Sequence, residues 1–122
     1  MMKVVYNTQI TSIGSRANDF LENNMFIVFK ENVPLELADY CYIHSENNLT
    51  DDIKPGDVLY IDNTSYKVTA VGSLVGQNLK QLGHITFKFN GACEATIPGT
   101  LFLEDKKIVP IEKGTNIKII RN

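Results

Sequence analysis

Tryptophan is absent from the 122 residues, cysteine occurs only twice, and no uninterrupted apolar run exceeds Met25–Phe29. A membrane-spanning helix needs about 20 apolar residues, so none is expected. Met1-Met2-Lys3 is followed by Val4, Val5 and Tyr6 and then by polar Asn7, Thr8 and Gln9. That opening lacks the longer apolar stretch and small-residue cleavage site of a secretory leader, which leads us to expect a cytoplasmic protein. Cys41 and Cys93 are too few for a disulfide scaffold and are expected to be free thiols. Basic residues are not in excess either: 12 Lys and Arg stand against 14 Asp and Glu, for a formal charge of -2. A phosphate backbone is bound chiefly through clustered cations, so nucleic acid is not an expected partner.

What is present suits one compact domain over residues 1–122. Hydrophobic residues make up 43% and charged residues 21%, far from the composition that keeps chains disordered. Short segments rich in β-branched and aromatic residues alternate with Gly, Pro, Asn and Asp. They predict strands over Lys3–Ile13, Met25–Lys30, Tyr40–Ser45, Val58–Asp62, Tyr66–Gly72, Ile85–Asn90, Thr100–Glu104 and Ile117–Ile120. The expected fold is all-β, a small barrel-like or sandwich domain of about eight short strands with two short helices. Ser15 is placed to cap a helix over Arg16–Asn23, and Val75, Leu79 and Leu82 recur at helical spacing before the stop residue Gly83. Pro34 precedes a further possible helical turn at Leu35–Asp39. Asn63-Thr64-Ser65 reads as a hairpin connection and Lys54-Pro55-Gly56-Asp57 as a tight turn.

Few residues can carry chemistry. His44, His84, Cys41 and Cys93 are the nitrogen and sulfur donors, without CxxC or HExxH spacing, so no metal site is expected. Gly72, Gly76 and Gly83 fit neither a dinucleotide fingerprint nor a phosphate loop, and no cofactor is expected. Strand alternation puts Tyr40, Tyr42 and His44 on one face and Cys41 and Ile43 on the other, with His44 at an exposed strand end. His84 follows Gly83 and opens the next strand. Between Glu31 and Asp52 there are acids only, whereas Lys106, Lys107, Lys113, Lys118 and Arg121 gather near the end of the sequence. The acidic segment is either a solvated face or a docking surface for a basic partner. On residue types alone, a non-catalytic β-barrel module binding a peptide or small ligand accounts for the chain as well as any enzyme does.

Tyr40-Cys41-Tyr42-Ile43-His44 changes that balance, together with Val68-Thr69-Ala70-Val71-Gly72-Ser73, Asn78-Leu79, Leu82-Gly83-His84-Ile85-Thr86, Phe89-Asn90-Gly91 and Pro98-Gly99-Thr100. In order and spacing these runs, with Phe29-Lys30-Glu31 and Tyr6–Gly14, resemble the glucitol/sorbitol-specific IIA component of the bacterial phosphoenolpyruvate-dependent sugar phosphotransferase system. The resemblance extends from about residue 4 to residue 103. It implies a cytoplasmic phosphotransferase of barrel-like fold with His44 as phosphoryl acceptor and His84 in a supporting role. It further implies the histidine phosphocarrier protein HPr as donor and the IIB/IIC components of a sorbitol permease as acceptor, the chain itself remaining outside the membrane. Where some members carry a second histidine two residues after the active one, this sequence has Glu46, so no role transfers there. Ser45, Ser73 and Thr86 are further candidates to hold phosphoryl oxygens, and Tyr40 and Tyr42 to form an apolar docking rim.

Overall fold

Alternating apolar and polar residues along short segments leave each strand one face to bury, and a small sheet does so by closing on itself. In the computed structural model, which describes residues 2–122, nine strands form one sheet. They are β1 (Lys3–Ile13), β2 (Met25–Lys30), β3 (Tyr42–His44), β4 (Asn48–Leu49), β5 (Val58–Ile61), β6 (Thr64–Val71), β7 (Ile85–Lys88), β8 (Thr100–Leu103) and β9 (Asn116–Arg121). Their order is β3-β2-β7-β8-β6-β5-β9-β1-β4, and a further pairing of β3 with β1 closes eight of them into a barrel. Among the described residues only β2 with β3 and β7 with β8 run parallel. No helix is long and apolar enough to cross a membrane among the described residues.

Tyr6, Phe26, Tyr42, Tyr66, Phe87, Phe89, Leu59 and Ile61 fill the interior with no solvent exposure. Phe26 sits at its centre, stacked on Phe87 and edge-on to Tyr42. A smaller apolar cluster, Phe29, Cys41 and Ile43 with Ile27 and Val33, covers the outside of the sheet at β2 and β3. Both cysteines are free; burial lifts the Cys41 thiol to about 11, whereas Cys93 lies exposed.

The expected helix after Ser15 is a 3-10 helix over Ala17–Asn23 with no side-chain cap. α1 (Leu35–Ala38) is a single turn, and α2 (Val75–Leu82) ends at left-handed Gly83 as the spacing predicts. The hairpin between β5 and β6 pairs Ile61 with Thr64, which moves its turn to Asp62-Asn63. Asp57 is 2% exposed and takes a bidentate contact from Arg121 at the end of β9. Arg121 also meets Asp51 at 3.2 Å, and Asp51 meets Lys3 at 2.6 Å, tying β1, β9 and the 51–57 loop together. These cations hold the Asp51 carboxyl well below the usual carboxylate range.

Candidate functional site

β1 supplies one edge to two partners in succession. Its later residues, Ile10 to Ile13, pair with β3, Ile10 facing His44, and its earlier Tyr6 and Asn7 pair with β4, Asn7 facing Asn48. Between these pairings the chain leaves the ladder at Ser45-Glu46-Asn47 and returns through Asn47, whose φ of 46° is left-handed. Asparagine tolerates that conformation better than most residues. The detour brings the His44 ring and the Asn47 backbone onto the same side chain of β1, that of Thr8.

His44 has no solvent exposure, which corrects the expectation of an exposed strand end. The alternation itself holds, with Tyr42 and His44 sharing one face, but that face is the barrel interior. Tyr42 is therefore core, its hydroxyl bonded to Asn18 Oδ1, and provides no docking rim. Tyr40 lies before the strand and is exposed against Phe20 and Arg16.

Both imidazole nitrogens of His44 are paired. Nε2 lies 2.7 Å from the Gly83 carbonyl and Nδ1 2.9 Å from Thr8 Oγ1. A carbonyl only accepts, so Nε2 carries the proton. The Asn47 N–H already donates to Thr8 Oγ1 at 3.0 Å, which leaves the hydroxyl proton free to bond the Nδ1 lone pair. Burial is the main force lowering the His44 pKa; the Lys30 charge adds to it, while the Gly83 bond and Glu31 oppose it. The ring is thus held neutral and in one tautomer.

The pairing continues into a closed circuit. Asn47 Nδ2 donates to the Leu79 carbonyl at 2.6 Å, and the Gly83 N–H donates to the same carbonyl at 3.0 Å. His44, Thr8, Asn47, Leu79 and Gly83 therefore link β3, β1, the 45–47 detour and the end of α2 in one ring of bonds. Tyr6 donates its hydroxyl to Asn47 Oδ1 at 2.9 Å, and burial raises its pKa so that it stays a donor. Gly83 is required twice: its φ is +60°, and a Cβ there would lie 2.7 Å from Lys30 Cβ and 3.2 Å from His44 Nε2.

His84 directly follows the carbonyl that covers His44, so the two histidines flank one corner of the barrel wall, His44 facing the interior and His84 the outside. Its half-buried ring stacks on Phe29, with centroids 4.7 Å apart and planes 24° from parallel. Burial lowers its pKa as well. Exposed Lys30 pairs with His44 in the β2–β3 register. Ser45 is half-buried beside His44 in the chain, and Thr86 shares the outer face of β7 with His84. Ser73 instead stands at the start of α2, away from this corner, on a groove of about 650 Å³ that also includes Asp52, Gly76 and Lys80. Thr8, Asn47 and Lys30 were not singled out from the sequence as site residues. Thr and Asn residues are common, and only the strand pairing reveals that these converge. Among the described residues no three Cys, His, Asp or Glu side chains are grouped to hold a metal.

Comparison with known proteins agrees on one family. The family described as the glucitol/sorbitol-specific IIA component of the PTS system matches residues 5–118. The PTS system glucitol/sorbitol-specific EIIA components of Shigella flexneri and Escherichia coli strain K12 are each 40% identical over 117 residues, covering 96% of this chain and 95% of theirs. The crystal structure of a PTS system IIA component from Enterococcus faecalis V583 superposes with a TM-score of 0.77 at 28% identity, over 91% of this chain and 96% of that one. The match takes in both histidines and all of the barrel but the ends of β1 and β9, and on it the chain belongs to the glucitol/sorbitol-specific IIA components of the phosphotransferase system, a family of phosphocarriers.

Proposed function

We propose that this chain, acting as a single domain over residues 1–122, takes a phosphoryl group from phospho-HPr onto His44 and passes it to the IIB component of a glucitol/sorbitol permease. The observation that carries the reading is the His44 imidazole, neutral and aligned by two hydrogen bonds within the family's motif. Phosphoryl transfer between imidazoles asks little of the protein beyond alignment and charge stabilisation. Nε2 is the favoured acceptor atom. One loop carbonyl covers it, whereas Nδ1 faces the β1 strand. Transfer then requires the Gly83 corner to swing away and leave Nε2 facing the donor.

Lys30, beside His44 in the β2–β3 register, supplies positive charge for the phosphoryl oxygens in this reading, and His84, next to Gly83 in the chain, is a second group to bond them once the corner opens. The last carbonyls of α2 carry partial negative charge and oppose a dianion there, which favours onward transfer over storage. The chain works in the cytoplasm, meeting the permease at the membrane surface without entering it. A ligand-binding β-barrel module is not favoured, since the family match embraces nearly the entire chain.

Incubation with phosphoenolpyruvate, enzyme I and HPr, followed by intact mass measurement, is expected to add one acid-labile phosphoryl group. His44→Gln is the informative variant, because its side-chain amide can still donate to Gly83 where alanine would leave a cavity. A folded His44→Gln protein that still takes up the label would overturn the assignment.

A further inference from the structure

Thr8 has no solvent exposure, and its hydroxyl is the one side-chain group bonded to Nδ1 of His44. A hydroxyl can donate one proton and accept two, unlike a carbonyl, which only accepts, or an ammonium, which only donates. That versatility matters because attack by Nε2 reverses the protonation of the ring. At rest Nε2–H faces the Gly83 carbonyl and Nδ1 presents a lone pair. For Nε2 to attack phosphorus the ring must change tautomer: once the corner opens, Nε2 gives its proton to water and Nδ1 takes one back from water, so the ring stays neutral until the bond to phosphorus forms. The bond from phosphorus to the donor imidazole then breaks as the bond to Nε2 forms, and the electron pair stays on the donor ring.

We propose that Thr8 is the positioning residue for this exchange: its hydroxyl donates to Nδ1 of resting His44 and turns to accept the Nδ1 proton once Nε2 bonds phosphorus. The Asn47 N–H holds the oxygen in place throughout, because it occupies one lone pair and leaves the other lone pair and the proton available to the imidazole. The inference rests on the phosphocarrier reading of His44. It adds a residue remote from the incoming donor that acts on the rate through the ring.

The test compares wild type with Thr8→Val, which keeps the shape and removes the hydroxyl, and Thr8→Ser, which restores it. The chain has two histidines, so imidazole ¹⁵N signals of labelled protein are readily assigned. In resting wild type, Nδ1 of His44 is expected to be unprotonated and Nε2 protonated; in the phosphorylated form, Nδ1 is expected to carry the proton. Thr8→Val is expected to slow transfer to His44 by roughly tenfold to a hundredfold, the scale of one lost hydrogen bond to a group gaining charge. It should also lower the pKa of Nδ1 in the phosphorylated ring, and Thr8→Ser should recover most of both effects.

A folded Thr8→Val protein with wild-type transfer rate and unchanged Nδ1 titration overturns the proposal, as does a protonated Nδ1 in the resting wild type. Should Thr8→Val not fold, the wild-type nitrogen signals and the Thr8→Ser titration decide the matter. Failure of the wild type itself to be labelled at His44 is a distinct outcome and removes the phosphocarrier reading along with the proposal.

Discussion

At the end of β9 the guanidinium of Arg121 spans two carboxylates, with Lys3 completing the group, whereas around His44 the bonded groups are an imidazole, a hydroxyl, an amide and two carbonyls. Both assemblies tie β1 to distant parts of the chain. The first is built from opposite charges that are each best left as they are, and moving a proton in it would strand a charge. The second holds only groups able to stay neutral, and its central hydroxyl can serve as donor or acceptor. Charge fixes the barrel at one end, and proton mobility is reserved for the other.

Breaking this comparison calls for variants at each end, scored for transfer and for stability together. The largest effect on transfer is expected from Gly83→Ala. Its Cβ would press on Lys30 and the His44 ring from a left-handed backbone position, so transfer should fall more than a hundredfold and the melting temperature should also drop. Wild-type kinetics for this variant would show that the corner is far looser than its packing.

Asp57→Asn is expected to do the reverse, lowering the melting temperature by about 5 °C or more while a folded protein keeps its transfer rate at low temperature. A transfer defect as large as the stability defect would mean that the two ends are coupled. Less severe is His84→Ala, expected to slow transfer by roughly tenfold, the scale of a single hydrogen bond to the incoming group. Equal rates in both the donor and acceptor steps would leave His84 as packing for Phe29.

Acid sharpens the contrast through the histidines. Their folded pKa values lie below the ordinary value of about 6.5, so near and below that pH the unfolded chain binds protons that the folded one does not. The histidine contribution to stability is present above about pH 6.5 and is lost as pH falls from there toward the folded values. Thermal melts across that range should decline less steeply for His44→Gln than for wild type, and equal slopes would refute the shift at His44.

The smallest effect is expected from surface charge. Asp51 is engaged by Lys3 and Arg121, so the acidic segment offers a partner chiefly Glu31, Glu36, Asp39, Glu46 and Asp52. Changing these five to amides should slow phosphorylation by HPr only a few-fold at low salt and flatten its salt dependence, since exposed charges are screened within about 8 Å at physiological ionic strength. An unchanged salt profile would assign docking to apolar contacts.

Period-two patterning disclosed the strands because a one-residue slip would turn every apolar side chain outward, and β1, β2 and α2 fall on their expected bounds. Two-residue β4 is too short to leave a periodic trace. Alternation gives the face of His44 but cannot say that the outside of β3 is also covered, because that cover comes from Phe29 and Val33 on another segment. The motif pointed to His44 and His84, while Thr8 and Asn47 became visible only when pairing placed residues 36 and 39 positions apart in contact. Even the acidic run was legible as composition, yet its partial neutralisation by Arg121 depended on the last strand returning beside the first.

That return also sets the order in which the molecule can assemble. β9 fills the gap between β5 and β1, with Lys3 opposite Arg121, so one seam joins segments separated by almost the whole chain. Loop-closure entropy makes such long-range pairing slow to nucleate, and the hairpin of β5 and β6 is a more accessible starting point. Until β9 emerges from the ribosome, β1 has an unpaired edge and the nascent chain is most open to association with its neighbours. A carrier with this topology acquires its closed form only once β9 has been made and seals the seam with β1.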